Sequence, residues 1–272
     1  KITVYEPCQG LRPEMLPEDN VELYNKAFTL NDLDEPVDLI VCRQVIEHVA
    51  SPGDLISQIA GALKPKGYAY LEVPRAEYIV EHSAFHDLHM AHVQYFSEAH
   101  FNFLAGKNSM EVIATNVLKD GHDVGVLFRR PDLLAQNDKP KIALPQSEIP
   151  ADFGDRLARA HNKAIRSLET VSGPIGLYGA TWHSQSLAAV LAKRIKFETA
   201  FDDNPAFAEA ALYGGGYKIP IKLPSAVTLR ELDAVVIGAY LHDKVIAAKL
   251  RQMGFLGQVF SSRPGVHQFL PM

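Results

Sequence analysis

The stretch Asp38–Pro74, DLIVCRQVIEHVASPGDLISQIAGALKPKGYAYLEVP, decides the fold. Asp38–Cys42 is a short apolar run with β-branched residues, the pattern of a central, buried strand in a parallel sheet. Leu55, Ile56, Ile59, Ala60 and Leu63 recur at helical spacing and predict one apolar helix face. Lys64-Pro65-Lys66-Gly67 predicts a turn, with Gly67 stopping the helix, and Tyr68–Val73 predicts a second buried strand. Strand, helix, strand at this spacing is a right-handed βαβ unit of a doubly wound sheet. Such sheets bind ligands beyond the carboxyl ends of their strands. That rule puts Arg43, Gln44, Glu47 and His48 at one ligand site, and Pro74 and Arg75 near another.

Outward from this unit, the chain divides near its middle. Glu111–Val117 and Val124–Arg130 predict a closing antiparallel pair. Pro131, Pro140, Pro145 and Pro150 punctuate a polar linker over residues 131–150. Beyond it, Phe153, Leu157, Ala160, Ala164 and Leu168 mark an amphipathic helix. A second α/β pattern follows, with strands at Pro174–Tyr178, Phe197–Phe201, Asp233–Gly238 and Val259–Ser261, a turn at Gly179–Ser184, and helices over 186–196 and about 242–253. The expected architecture is a first domain over 1–130, the linker, and a smaller Rossmann-like α/β domain over 151–272.

The 272 residues suffice for one large core or two ordinary ones. The net charge of −5, without a dense basic run, argues against nucleic acid as the main partner. No apolar stretch reaches membrane-spanning length. Two cysteines, Cys8 and Cys42, form neither a disulfide framework nor a zinc site and suit a reducing cytoplasm.

Val45-Ile46-Glu47-His48-Val49, then a helix, Leu63-Lys64-Pro65-Lys66-Gly67 and an apolar strand, resemble the middle of class I S-adenosylmethionine-dependent methyltransferases. In that family the segment is strand four, its helix and strand five. The resemblance makes the opening KITVYEP (residues 1–7) strand two, with Glu6 and the adjoining Pro7 at the cofactor ribose. A carboxylate accepts two hydroxyl hydrogen bonds, which suits a ribose. Val21–Phe28 then resembles strand three, with Ala27 and Phe28 near the adenine, and Arg43 and Gln44 complete the cofactor set. The family's first strand and glycine-rich loop have no counterpart before Asp38. The resemblance implies that both lie upstream of Lys1, so that the first domain is an incomplete methyltransferase Rossmann-like fold.

The second half resembles the C-terminal domain of the sugar C-methyltransferase family through Leu177-Tyr178-Gly179-Ala180, Phe201–Pro205, Lys218–Ile221 and Asp233–Ile237. That family carries a lysine-bearing turn after Gly-Ala, where this chain has Thr181-Trp182-His183-Ser184. Its Tyr-His-Glu-His-Val-Ser-Tyr-Phe-Ser-like catalytic segment is here His89-Met90-Ala91-His92-Val93-Gln94-Tyr95-Phe96-Ser97. The family tyrosine is replaced by His89 and its glutamate by Ala91. The resemblance implies His92 as general base, His48 as a further active-site histidine, and a small-molecule acceptor, a nucleotide-linked sugar or a related biosynthetic intermediate. Imidazole titrates near neutrality and suits deprotonation of a carbon or an oxygen nucleophile. The expected catalytic residues are therefore His92, His48 and His89, and the expected acceptor contacts are Arg75, Tyr95, Gly179 and Ser184. The last two open a helix whose N-terminus suits a phosphate.

Plainer readings stay open at each position. Glu47 and His48 also suit a role in shaping the turn after their strand, His92 also suits a plain structural histidine, and Gly179–Ser184 suits a structural turn. His86, His89 and His92 at three-residue spacing could ligate a metal from one helix face, but with no cysteine partner no metal is expected. Two other classes compete with methyl transfer. One is a dinucleotide-dependent enzyme with Asp202 on a ribose, which the absent Gly-x-Gly-x-x-Gly disfavours. The other is a non-catalytic binding module that keeps the fold.

Overall fold

The computed structural model describes residues 2–7, 11–13, 16, 20–132, 145, 149–265 and 269–272. Cys8, Pro140 and most of the expected linker lie outside them. In chain order the elements are β1 (Ile2–Tyr5), β2 (Val21–Tyr24), β3 (Val37–Arg43), α1 (Pro52–Ala62), β4 (Leu63–Pro74), α2 (Ala76–His82), α3 (Glu98–Lys107), β5 (Glu111–Leu118), β6 (Asp123–Arg129), α4 (Phe153–Leu168), β7 (Ile175–Tyr178), α5 (Trp182–Leu191), β8 (Phe197–Phe201), β9 (Ala211–Gly214), β10 (Tyr217–Lys222), α6 (Ala226–Leu229), β11 (Ala234–Ile237), α7 (Asp243–Gln252) and β12 (Gln258–Ser261). The architecture is mixed α/β. Among the described residues, no helix is long and apolar enough to cross a membrane.

The chain forms two compact units that interleave. One takes residues 1–72, 98–116 and 125–145; the other takes 73–97, 117–124 and 146–272. Segments 73–97 and 117–124 thus group with the C-terminal half.

In the first unit, β1 and β2 pair in parallel, from Ile2 opposite Val21 to Tyr5 opposite Tyr24. A separate sheet has the order β3-β4-β6-β5, with β3 and β4 parallel and α1 between them in the chain. Pro52 begins α1, where a missing N–H costs nothing, and Ile56, Ile59 and Ala62 form its buried stripe.

Two expectations are corrected here. The helix ends at Ala62, and Leu63–Gly67 already belong to β4. The bend falls on Lys66 at φ +67°, whose N–H donates to Arg130 O while Arg130 N–H donates to Gly67 O. A Cβ at Gly67 would lie 2.9 Å from Lys64 O and 3.1 Å from Asp38 O. Glycine therefore serves close backbone approach, not helix termination. The second correction concerns β3, expected to be a buried central strand. It stands at a sheet edge, with Leu39 and Val41 each 57% exposed. Among the described residues its one strand neighbour is β4.

The second unit holds a six-stranded sheet of order β12-β11-β7-β8-β10-β9, parallel except for the β9–β10 hairpin. The hairpin was not anticipated as a pair of strands. Alternation along β11 sends Ala234 and Val236 into one core and Val235 and Ile237 into another. The first core includes Leu168 of α4 and Leu187 and Leu191 of α5; the second includes Ile246 and Leu250 of α7. Both faces are covered, as a parallel sheet requires. Helix α5 starts at Trp182, four residues before the expected start, because the Thr181 hydroxyl caps it by accepting from Ser184 N–H at 3.2 Å.

The end of β12 is tied to α7. The buried Asp243 carboxylate accepts from Ser261 Oγ at 2.7 Å and from Arg263 Nε and Nη2 at 3.0 Å each. Burial alone would raise its pKa, but Arg263 and Ser261 outweigh that and hold it below the ordinary carboxylate value. Because the folded-state pKa is depressed, this stabilisation is present above the unfolded value of 3.8 and is lost as pH falls through the folded one. Asp243→Asn is expected to lower stability by ~1–3 kcal/mol near neutral pH. The deficit should shrink on acidification to about pH 3, as checked by denaturant unfolding of both proteins at the two pH values.

Candidate functional site

In the first unit, parallel pairing brings the carboxyl ends of β1 and β2 together. Glu6 follows β1, is half-buried, and its N–H donates to Tyr24 O at 3.0 Å. Pro7 and Ala27 are exposed, and Phe28 is half-buried with its ring edge-on to Tyr5 at 5.2 Å. Arg43 and Gln44 sit at the carboxyl end of β3. Arg43 donates through Nε and Nη2 to the Glu72 carboxylate at 2.9 Å each, and Tyr70 adds a hydroxyl to the same group at 3.2 Å. Gln44 adopts φ +52° and donates its N–H to Glu72 O at 2.8 Å. Glu72 thus organises this strand end, although nothing in the sequence singled it out. A 3-10 turn, Ile46–His48, follows, with the buried Glu47 Oε1 3.8 Å from His48 Nε2. Burial pushes the Cys42 thiol up to about 12, so it stays protonated.

In the second unit, the segment after α2 is not a helix. It leaves α2 through Ser83 in a left-handed conformation and then runs through turns. His86, His89 and His92 therefore do not share a helix face. His89 and His92 do meet, with ring centroids 3.9 Å apart. The Trp182 ring lies nearly parallel to His89 at 6.2 Å, and His89 N–H donates to Tyr95 Oη at 3.2 Å. His92 and Tyr95 face each other edge-on at 6.0 Å.

Behind this pair lies a buried cluster around Asp87, whose side chain is 2% exposed. The Tyr240 hydroxyl donates to Asp87 at 3.1 and 2.9 Å, to Oδ1 and Oδ2. His183 Nε2 lies 3.1 Å from Oδ1, and His122 Nε2 lies 3.7 Å from Oδ2. The Asp123 carboxylate takes a short hydrogen bond from His122 Nδ1 and an ion pair from Lys119. Because a carboxylate only accepts, the Nδ1 atom of His122 carries the proton. His86 is fully buried, and among the described residues neither of its ring nitrogens has a hydrogen-bond partner.

The environment sets the charges. Burial pushes His86 down to about 4, so it is neutral. Burial would raise Asp87, but the imidazoles of His122 and His183 outweigh it and hold the carboxyl well below its ordinary range. Burial would lower His122, but Asp123 and Asp87 prevail and raise it to about 9. Burial and the Asp87 charge push Tyr240 well above its ordinary value, so its hydroxyl remains a donor.

The remaining expected residues hold the backbone. Arg75 donates Nε to Gly121 O at 3.1 Å and its backbone N–H to His122 O at 2.8 Å, which fixes the turn that presents His122. Gly179 sits at φ +99°, where an added Cβ would strike Ala239. Ser184 is fully buried and donates Oγ to Gly179 O at 2.5 Å. The Asp202 carboxylate accepts from the N–H groups of Ala180 and Asn204 at 2.7 and 2.9 Å. Asp87, His122 and Tyr240 were missed, since 153 residues separate Asp87 from Tyr240 and no local pattern links them. For His183 the signal was its place in the turn where the related family carries lysine.

Residues 1–114 match the family model described as a methyltransferase domain. No curated protein matches the chain's sequence. Among solved structures it is similar to the 1,6-didemethyltoxoflavin-N1-methyltransferase of Burkholderia thailandensis with bound 1,6-didemethyltoxoflavin and S-adenosylhomocysteine: 16% identity, 48% of this chain and 61% of that one, TM-score 0.37. It is also similar to an O-methyltransferase family protein from Burkholderia thailandensis: 12% identity, 42% of this chain and 36% of that one, TM-score 0.34. A third is the magnesium protoporphyrin IX methyltransferase of Synechocystis PCC 6803 with bound S-adenosylmethionine: 13% identity, 43% of this chain and 49% of that one, TM-score 0.31. The chain spans less than two thirds of each of these proteins.

Removing one donor from the buried carboxylate tests how tightly the cluster is built. Tyr240→Phe is expected to cost ~1–3 kcal/mol, the penalty for leaving a buried acceptor short of a partner. Thermal and denaturant unfolding would measure it. Unchanged stability would mean that the two imidazoles satisfy Asp87 alone.

Proposed function

We propose that the protein transfers a methyl group from S-adenosylmethionine to a small-molecule acceptor, a nucleotide-linked sugar or a related biosynthetic intermediate. The match of residues 1–114 to a methyltransferase domain carries the reading. Two features of the first unit support it. A half-buried acid, Glu6, follows the first of two parallel strands, where a ribose diol would be received, and the aromatic Phe28 lies in the loop that follows the second. The cofactor supplies an electrophilic methyl on a sulfonium. This chain's residues bind and orient it, with Glu6 and Pro7 for the ribose, Ala27 and Phe28 for the adenine, and Arg43 and Gln44 at the neighbouring strand end.

His92 is the general base that takes the acceptor's proton. Its contact with His89 and its proximity to Tyr95 support that role, since neighbouring rings fix an imidazole's orientation. His48 is the second candidate. Among the described residues β3 is an edge strand, which leaves its carboxyl end, with Arg43 and Gln44, accessible to a ligand.

Two experiments on the full-length protein test the reading. Calorimetry should show S-adenosylmethionine binding that Glu6→Ala weakens by ~1–3 kcal/mol, with the variant still folded. Binding of a nicotinamide dinucleotide in its place would favour the dinucleotide-dependent alternative. Once an acceptor is found, single-turnover methyl transfer should slow by roughly a hundred- to ten-thousand-fold in His92→Ala, with cofactor affinity retained. A wild-type rate in that variant would make His92 structural.

A further inference from the structure

We propose that Asp87, His122 and His183 form a binding site for a divalent transition-metal ion of the zinc class. One ligand atom from each of the three lies within 4.8 Å of the others, the spacing at which a single ion reaches all three. The donors come from separate parts of the second unit: the turns after α2, the turn before β6, and the first turn of α5. Two imidazoles and one carboxylate suit zinc or cobalt, whereas calcium and magnesium require an all-oxygen shell.

A second observation points to a ligand. His122 Nε2 is buried and, among the described residues, makes no hydrogen bond; its nearest acid, Asp87 Oδ2, stands 3.7 Å away, an ion-pair distance too long for a hydrogen bond. Its other ring nitrogen is held by Asp123, and Asp123 is in turn paired with Lys119. A carboxylate on the far nitrogen of a histidine is the arrangement that fixes the tautomer and leaves the near nitrogen's lone pair for a metal. Tyr240 does the corresponding work for the carboxylate, holding Asp87 in place from behind. The site has a way in, because the His183 side chain is 22% exposed while those of Asp87 and His122 are 2% and 5% exposed.

Binding requires both Nε2 atoms to be free of protons. His183 changes tautomer: the proton on its Nε2 is lost to solvent and one is taken up on Nδ1, with no net release, while the second proton of His122 leaves from Nε2 to solvent, so that each ring ends neutral with its proton on Nδ1. Three protein donors leave a coordination position for water or another oxygen ligand.

The test uses the full chain, stripped with a chelator and titrated with zinc alone by calorimetry, and with cobalt by visible absorption. The expected result is one ion per chain, a ligand-field spectrum of a nitrogen- and oxygen-ligated cobalt ion, proton release on binding, and a rise in melting temperature with zinc. His183→Ala removes a partly exposed ligand and should abolish the stoichiometric binding and the zinc-dependent rise. Asp123→Asn, which leaves all three ligands in place, should weaken binding by about ten- to a hundred-fold. His92→Ala should bind zinc as the wild type does. Asp87→Asn is a poorer probe, because it disturbs a buried carboxylate. If the stripped wild type takes up neither ion stoichiometrically, or if folded His183→Ala binds as well as wild type, the cluster is a metal-free ion-pair network and the proposal falls.

Discussion

The second unit is organised around one buried carboxylate. An anion removed from water survives only if its surroundings replace the lost hydration, and Asp87 does this with a phenol and two imidazoles drawn from three distant segments. Each partner is itself positioned by something else. Tyr240 is fully enclosed by protein, His183 rides on a capped helix, and the turn bearing His122 is pinned by Arg75. The chain segments bearing these residues therefore take their positions together or leave the charge uncompensated. That constraint gives a physical reason for residues 73–97 and 117–124 to group with the C-terminal sheet.

The candidate base pair stands beside this charge network. His183 lies edge-on to His89 at 6.0 Å, and His89 contacts His92. In the first unit the corresponding organiser is Glu72, which engages Arg43 and the backbone of Gln44 at the end of β3.

Periodicity made most elements legible. The apolar runs of β7, β8, β11 and β12 and the amphipathic spacing of α4 read correctly, because burial on both sheet faces and on one helix face leaves a local imprint. Boundaries were less legible where a tertiary contact decided them. Gly67 reads as a helix stop, yet its place in β4 follows from its approach to the backbone of Asp38. The β9–β10 hairpin was missed because short strands joined through Gly215 and Gly216 carry little pattern. His89, His92 and Tyr95 were visible because they lie in one segment. Asp87, His122, His183 and Tyr240 assemble across the fold, and no sequence window contains them together.

The edge of β3 carries a consequence for how this stretch of chain behaves in solution. Among the described residues β4 is its one strand neighbour, and its exposed Leu39 and Val41 make the strand apolar on its face. Any extended segment that reaches it first will add as a strand, whether from the same polypeptide, from a neighbour or from an unrelated peptide.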